Sequence, residues 1–106
     1  MPESRANFAV VFVAEADRVG MYLRGEADIA TAEMLGRAFE HLAEDISRPS
    51  VVIDLHDLSF IDVICGHLLA NYCRRAASQG CDVALRGATR PILPVLELFD
   101  LQAAPA

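Results

Sequence analysis

The segment Val51-Val-Ile-Asp-Leu55 constrains the fold more than any other stretch. Its first three residues are all apolar, and it stands between two segments of helical period. A short run of that composition is expected at the centre of a sheet, covered on both faces. Strand–helix–strand units of about 30 residues connect as right-handed parallel crossovers, so part of the sheet must be parallel.

The flanking segments carry the helical signal. From Thr31, the residues Leu35, Ala38 or Phe39, Leu42 and Ile46 recur at three- and four-residue steps and share one helical face. Glu33, Arg37, Glu40, Glu44 and Asp45 populate the other faces. Thr31 is the expected N-cap, with Glu33 in the first turn where a carboxylate meets the positive helix end. Pro49 stops the helix. After the central strand, Asp62 is the expected cap of a second helix whose buried face holds Cys65, Leu68, Leu69, Tyr72 and Ala76. Gly80 supplies its C-terminal stop.

The remaining segments complete the pattern. Phe8–Ala14 reads as a strand, Glu15–Arg18 as a turn, and Val19–Arg24 as the second arm of an antiparallel hairpin that Gly25 ends. Cys81–Arg86 alternates as a strand, and Thr89–Phe99 is a short helical stretch with Pro91 and Pro94 tolerable near its first turn. His56 and Asp57 are read as solvated turn residues, and Ser59-Phe60-Ile61 as a segment heading into the core. The expected fold class is α/β. A single domain over residues 1–106 has a mixed, mostly parallel sheet of about four to five strands with helices packed on it, in the order β-β-α-β-α-β-α.

Composition excludes several classes of function. With 54% hydrophobic and 23% charged residues the chain is no candidate for intrinsic disorder. Its longest uninterrupted apolar stretch, Phe8–Ala14, falls far short of the ~18 residues of a membrane span. The first seven residues show no cationic segment leading into an apolar one, so a cytoplasmic location is expected. The net charge is −6, and all nine basic residues are arginines of which only Arg74 and Arg75 adjoin. Nucleic acid and anionic membranes, which need clustered cations, are poor partners for such a surface.

Three cysteines (Cys65, Cys73 and Cys81) without CxxC spacing are expected to be reduced thiols. Cys65 and His67 lie two residues apart, so on a helix they point in different directions and make no nucleophile–base pair. His41, His56, His67 and the cysteines offer no ligand pair of recognisable metal spacing. No cofactor is expected, and no Gly-rich phosphate cradle is present.

Two stretches carry more information than a generic α/β chain. Gly25-Glu-Ala-Asp28-Ile-Ala-Thr31-Ala-Glu-Met-Leu35 resembles the GELDLATAPEL signature of STAS domains, the sulphate-transporter and anti-sigma-antagonist family. Val51-Val-Ile-Asp54-Leu-His-Asp-Leu-Ser-Phe60-Ile61-Asp62 resembles that family's VVLDLSGVSFID segment. Arg74-Arg75-Ala76 and Gly80–Leu85 fit the following helix end and strand, so the resemblance covers roughly residues 8 to 100.

The resemblance implies a stand-alone anti-sigma factor antagonist, a protein that binds a kinase-type anti-sigma factor and frees the sigma factor it holds. It implies a docking surface that includes Asp28, Thr31, Asp62, Val63, Ile64, Gly66 and His67. Read from the residues alone, Asp28 and Asp62 are also helix caps, and the two roles are compatible.

In the family the kinase silences its antagonist by phosphorylating the second serine of an Asp-Ser-Ser-Gly turn. This chain has Asp62-Val63-Ile64-Cys65-Gly66-His67 there. Aligned without a gap, Ile64 replaces the acceptor serine and has no oxygen to phosphorylate. A one-residue shift would pair Cys65-Gly66 with Ser-Gly but would misplace Leu69, Tyr72, Arg74-Arg75 and Gly80. Other family members dock on an ABC-transporter ATPase without phosphorylation, and that is the alternative, followed by a ligand-binding module. Family members also continue into a further strand and helix where this sequence reads Leu101-Gln-Ala-Ala-Pro-Ala106. An unpaired sheet edge, and with it a homodimer, is the expectation there.

Overall fold

The computed structural model describes residues 3–5, 7–45 and 49–105. Ile46, expected on the first helix face, and the terminal Met-Pro lie outside them. Six strands form one sheet in chain order: β1 (Glu3–Arg5), β2 (Phe8–Ala14), β3 (Arg18–Ala27), β4 (Ser50–Ile61), β5 (Asp82–Arg86) and β6 (Ala103–Ala104). The first three are joined by antiparallel pairing, and β3 through β6 are parallel. Three helices connect the parallel strands: α1 (Ala32–Glu44), α2 (Val63–Ser78) and α3 (Leu93–Leu98).

The α/β class and the order of the seven main elements are those the sequence implied. The strand count is higher, because Glu3–Arg5 pairs outside the hairpin and Ala103–Ala104 pairs with Leu85 and Arg86. The residues expected to leave the sheet edge bare therefore supply β6. It is short, and Gly87 N–H closes the connection by donating to Ala104 O at 2.8 Å.

All three helices pack on one face of the sheet. There Phe8, Val10, Met21, Leu23, Val51, Ile53, Leu55 and Leu85 meet Leu35, Phe39, Leu69, Tyr72 and Leu96 in a continuous core. Phe39 of α1 and Tyr72 of α2 stack with ring centroids 5.1 Å apart. The central strand is thus β4, as its apolar run implied, but it is covered on one face only. Val52, Tyr22, Asp54 and Arg86 reach the open face and are partly exposed. An Arg86–Asp54 ion pair at 2.9 Å lies across that face.

Strand β4 is longer than expected because it carries two irregularities. Its register with β3 steps by one residue between Tyr22 and Arg24 and again between Gly25 and Glu26. Each extra residue resets the in–out alternation. Hence His56 and Asp57 are both exposed yet remain within the strand, and Ser59 and Phe60 are likewise both exposed. The expectation that Ser59 and Phe60 head inward fails for this reason. Only Ile61 of that trio is buried.

Helix α2 ends in a Schellman arrangement, with Gly80 at φ +79°, Gly80 N–H donating to Ala77 O and Cys81 N–H to Ala76 O. Helix α3 ends the same way around Asp100, at φ +56°, with Leu101 N–H donating to Leu96 O at 2.9 Å. That turn directs the chain into β6.

Candidate functional site

Because β3 and β4 are parallel, the loops that follow them emerge at the same end of the sheet. The β3–α1 loop holds Asp28 to Thr31, and the β4–α2 junction holds Asp62. They are tied together directly. Asp62 N–H donates to Ala27 O at 3.0 Å, and the Cys65 thiol lies 3.4 Å from Asp28 O. The two segments singled out from the sequence therefore form one surface.

Each aspartate organises its own turn. Asp62 Oδ1 accepts from Cys65 N–H at 2.8 Å, the side-chain cap expected for α2. Asp28 Oδ1 accepts from Ala30 N–H at 3.0 Å, closing an Asx turn. Thr31 occupies the N-cap position of α1 but makes no side-chain cap. Its hydroxyl turns back into the loop, accepting from Asp28 N–H at 3.0 Å and donating to Asp28 O at 3.1 Å.

Two of the expected surface residues lie beneath the surface. Thr31 is 4% exposed and so holds the loop's shape from inside. Gly66 is buried under α3, where a Cβ would come 2.4 Å from Val95 Cγ1 and 3.0 Å from Phe99 Cε2. Its lack of a side chain lets α3 approach α2. By contrast Val63, Ile64 and His67 are exposed, and Asp28 and Asp62 are half-buried. His67 leans on the Phe99 ring at 5.8 Å and meets Asn71 Nδ2 at 3.1 Å.

Cys65 is fully buried. Burial, reinforced by its hydrogen bond to Asp62 and by the charges of Asp62 and Asp28, pushes its thiol up to about 12. A thiol so placed is protonated at neutral pH and is no nucleophile.

Exposed apolar side chains gather at this end. Among the described residues, the large hydrophobics standing clear of the surface are Val13, Ile29, Phe60, Val63, Ile64, Leu93 and Leu98, from 39% to 73% exposed. All but Val13 belong to the loop after β3, the end of β4, the first turn of α2, or α3. Ile29 lies within the loop that the sequence assigns to docking. The sequence reads Phe60 as inward because no residue type announces the step in β4 that turns it outward, and it does not mark Leu93 and Leu98 because a short helix shows too few turns to reveal its free face.

Two recesses lie elsewhere. A groove of about 500 Å³ between α1 and α2 has Leu68, Phe39 and Tyr72 along its floor. Its charged rim is already paired, Arg37 with Glu33 at 2.9 Å and Arg75 with Glu40 at 2.8 Å. A second, of about 400 Å³, lies on the open sheet face around Tyr22, Asp54 and Arg86, whose polar groups bond one another.

A family model described as "Mlab, STAS domain" matches residues 10–103. The chain belongs to the STAS domain family. This STAS domain superposes on an anti-sigma factor antagonist from Mycobacterium paratuberculosis with a TM-score of 0.82, at 18% identity over 93% of this chain and 86% of that one. The phosphorylated Bacillus cell fate determinant SpoIIAA gives 0.73 at 17% identity, over 93% and 90% of the two chains. A serine-to-glutamate variant of Moorella thermoacetica RsbS gives 0.73 at 19%, over 92% and 85%. At these identities the likeness is one of fold. No curated protein sequence matches this STAS domain. No helix among the described residues is long and apolar enough to cross a membrane.

Proposed function

We propose that this STAS domain works by docking on another protein, as an anti-sigma factor antagonist whose partner is a kinase-type anti-sigma factor. The observation that carries the reading is the gathering of exposed apolar side chains at the end of the sheet where Asp28 and Asp62 shape the loops. Contiguous exposed apolar surface on a small protein marks an interaction site. Several solved structures of the same fold carry the antagonist description, which supports the choice of partner.

Regulation differs from the phosphoserine switch of the family. Ile64 stands in the first turn of α2, 48% exposed, where an acceptor hydroxyl is usual. A phosphoryl group would bring a charge of about −1.5 to −2 to this turn. An isoleucine cannot take one up, so control must come from the amount of protein, a competing partner or a ligand. The same feature favours a second reading, a subunit seated on an ABC-transporter ATPase, because that docking needs no phosphorylation.

The test is Ile64→Glu, which places a charge at the proposed contact. Tagged wild-type protein and the variant are compared for capture of partners from the native cell extract, read by mass spectrometry. Recovery of a kinase-type anti-sigma factor by the wild type, and loss of roughly tenfold or more in its affinity for the variant, is expected. Recovery of a transporter ATPase instead selects the second reading. A partner held equally by both proteins would show that this turn is not the interface.

A further inference from the structure

The docking end has a charge pattern as well as an apolar centre. Glu26 is the penultimate residue of β3, Asp28 and Asp62 frame the loops, and Glu97 and Asp100 lie on α3 and its terminal turn, the helix whose Val95 and Phe99 face Gly66 of α2. None of these five is held in an ion pair among the described residues, unlike Glu33, Glu40, Asp54 and Asp57, which each have an arginine partner. Arg90 is the basic residue nearest in sequence to α3, and it is exposed. Exposed Ile29, Val63, Ile64 and Leu98 thus share their loops, the first turn of α2 and α3 with carboxylates that no arginine of the described residues pairs.

We infer that the surface this end receives is apolar at its centre and ringed by arginine or lysine. This rests on the docking reading above and specifies the partner's chemistry. Apolar contact at the centre excludes water and sets how slowly the complex parts, while the opposed charges at the rim speed encounter and reject acidic competitors. A second copy of this chain would present acid to acid across the contact, so self-association through this end is disfavoured.

Two synthetic helical peptides with identical leucine faces test the inference, one with lysines and one with glutamates on the polar face. Each is titrated into isotopically labelled protein at low and at physiological salt, following backbone amide shifts. The lysine peptide is expected to bind roughly tenfold tighter, to shift residues 28–31, 62–67 and 97–100, and to lose part of its advantage as salt rises. Ile64→Ser and Leu98→Ser should each weaken it by roughly fivefold, since each removes apolar contact at the centre. Glu26→Gln combined with Glu97→Gln should narrow the gap between the peptides.

Equal affinity of the two peptides at this end would overturn the basic ring and leave the docking reading intact. Shifts spread over other faces, binding of neither peptide, or indifference to the serine variants would overturn the inference too. If Ile64→Glu also keeps its native partner, the docking reading falls with it.

Discussion

At Gly66 a single missing side chain sets the geometry of the docking end. Val95 Cγ1 and Phe99 occupy the space a Cβ would need, so α3 lies against the first turn of α2. Glycine inside a helix ordinarily costs about 1 kcal/mol against alanine, and Gly66→Ala would recover that. Forcing a methyl into a 2.4 Å gap costs about 3 kcal/mol, at the upper end of overpacking penalties. The net expectation is a loss of about 2 kcal/mol in urea unfolding, with Val95→Ala restoring part of it in the double variant. A stabilised Gly66→Ala would mean α3 does not press on this turn. Sequence alone pointed to Gly66 through its neighbours in the family motif, but not to its burial, because the residues that fill its space come from a helix distant in the chain. Gly25 was legible as the end of the hairpin, since Phe8–Gly25 is the last β2–β3 pair, but not β3's continuation beside β4 to Ala27. The φ of +93° at Gly25 and the Asn7 O that stands where a Cβ would project both require glycine.

Elements were legible wherever one period ran unbroken. The α1 and α2 faces, including buried Leu35, Phe39, Leu42, Cys65, Leu69 and Tyr72, follow helical spacing closely. Strand β4 was legible only to Leu55, because two register steps break its alternation and no residue type announces them. The caps divide similarly. Asp62 does what its position suggests, whereas Thr31 bonds Asp28 rather than the helix. These differences give opposite expectations for conservative replacements. Asp62→Ala should cost about 1 kcal/mol of stability through the lost cap, and Asp62→Asn should retain most of it, since an amide oxygen accepts the same bond. Thr31→Val keeps the volume but leaves the Asp28 amide without its acceptor. It should cost about 1 to 3 kcal/mol while leaving the helicity of α1 unchanged. Chemical denaturation followed by circular dichroism separates the two. Equal losses for Asp62→Ala and Asp62→Asn would show that charge at the helix end, rather than the cap bond, carries the effect.

Over the whole molecule, a sheet with helices on one face concentrates its apolar mass, and its thiols, in a single layer. Cys65 is pushed up to about 12, Cys73 to about 11 by burial against a small opposing effect of Arg74, and the Tyr72 phenol to about 12 by burial and the neighbouring Cys81 and Cys73. In the unfolded chain these groups titrate near 9 for the thiols and near 10 for the phenol. Between those limits the unfolded chain releases protons that the folded chain retains, so alkali favours unfolding. The contribution of these groups to stability is therefore fully present below pH 9 and is lost progressively as pH rises toward the native values near 12. Urea midpoints measured from neutral pH to about pH 11 should decline, and the decline should be shallower in Cys65→Ala, which removes one of the retained protons. The slope is the informative quantity, because the alanine also loses packing at every pH. Parallel slopes for the two proteins would mean that the Cys65 thiol ionises as readily in the folded chain as in the unfolded one. The packing of α2 over the Asp28 and Asp62 loops would then be looser than the 3.4 Å approach of its sulfur to Asp28 O implies.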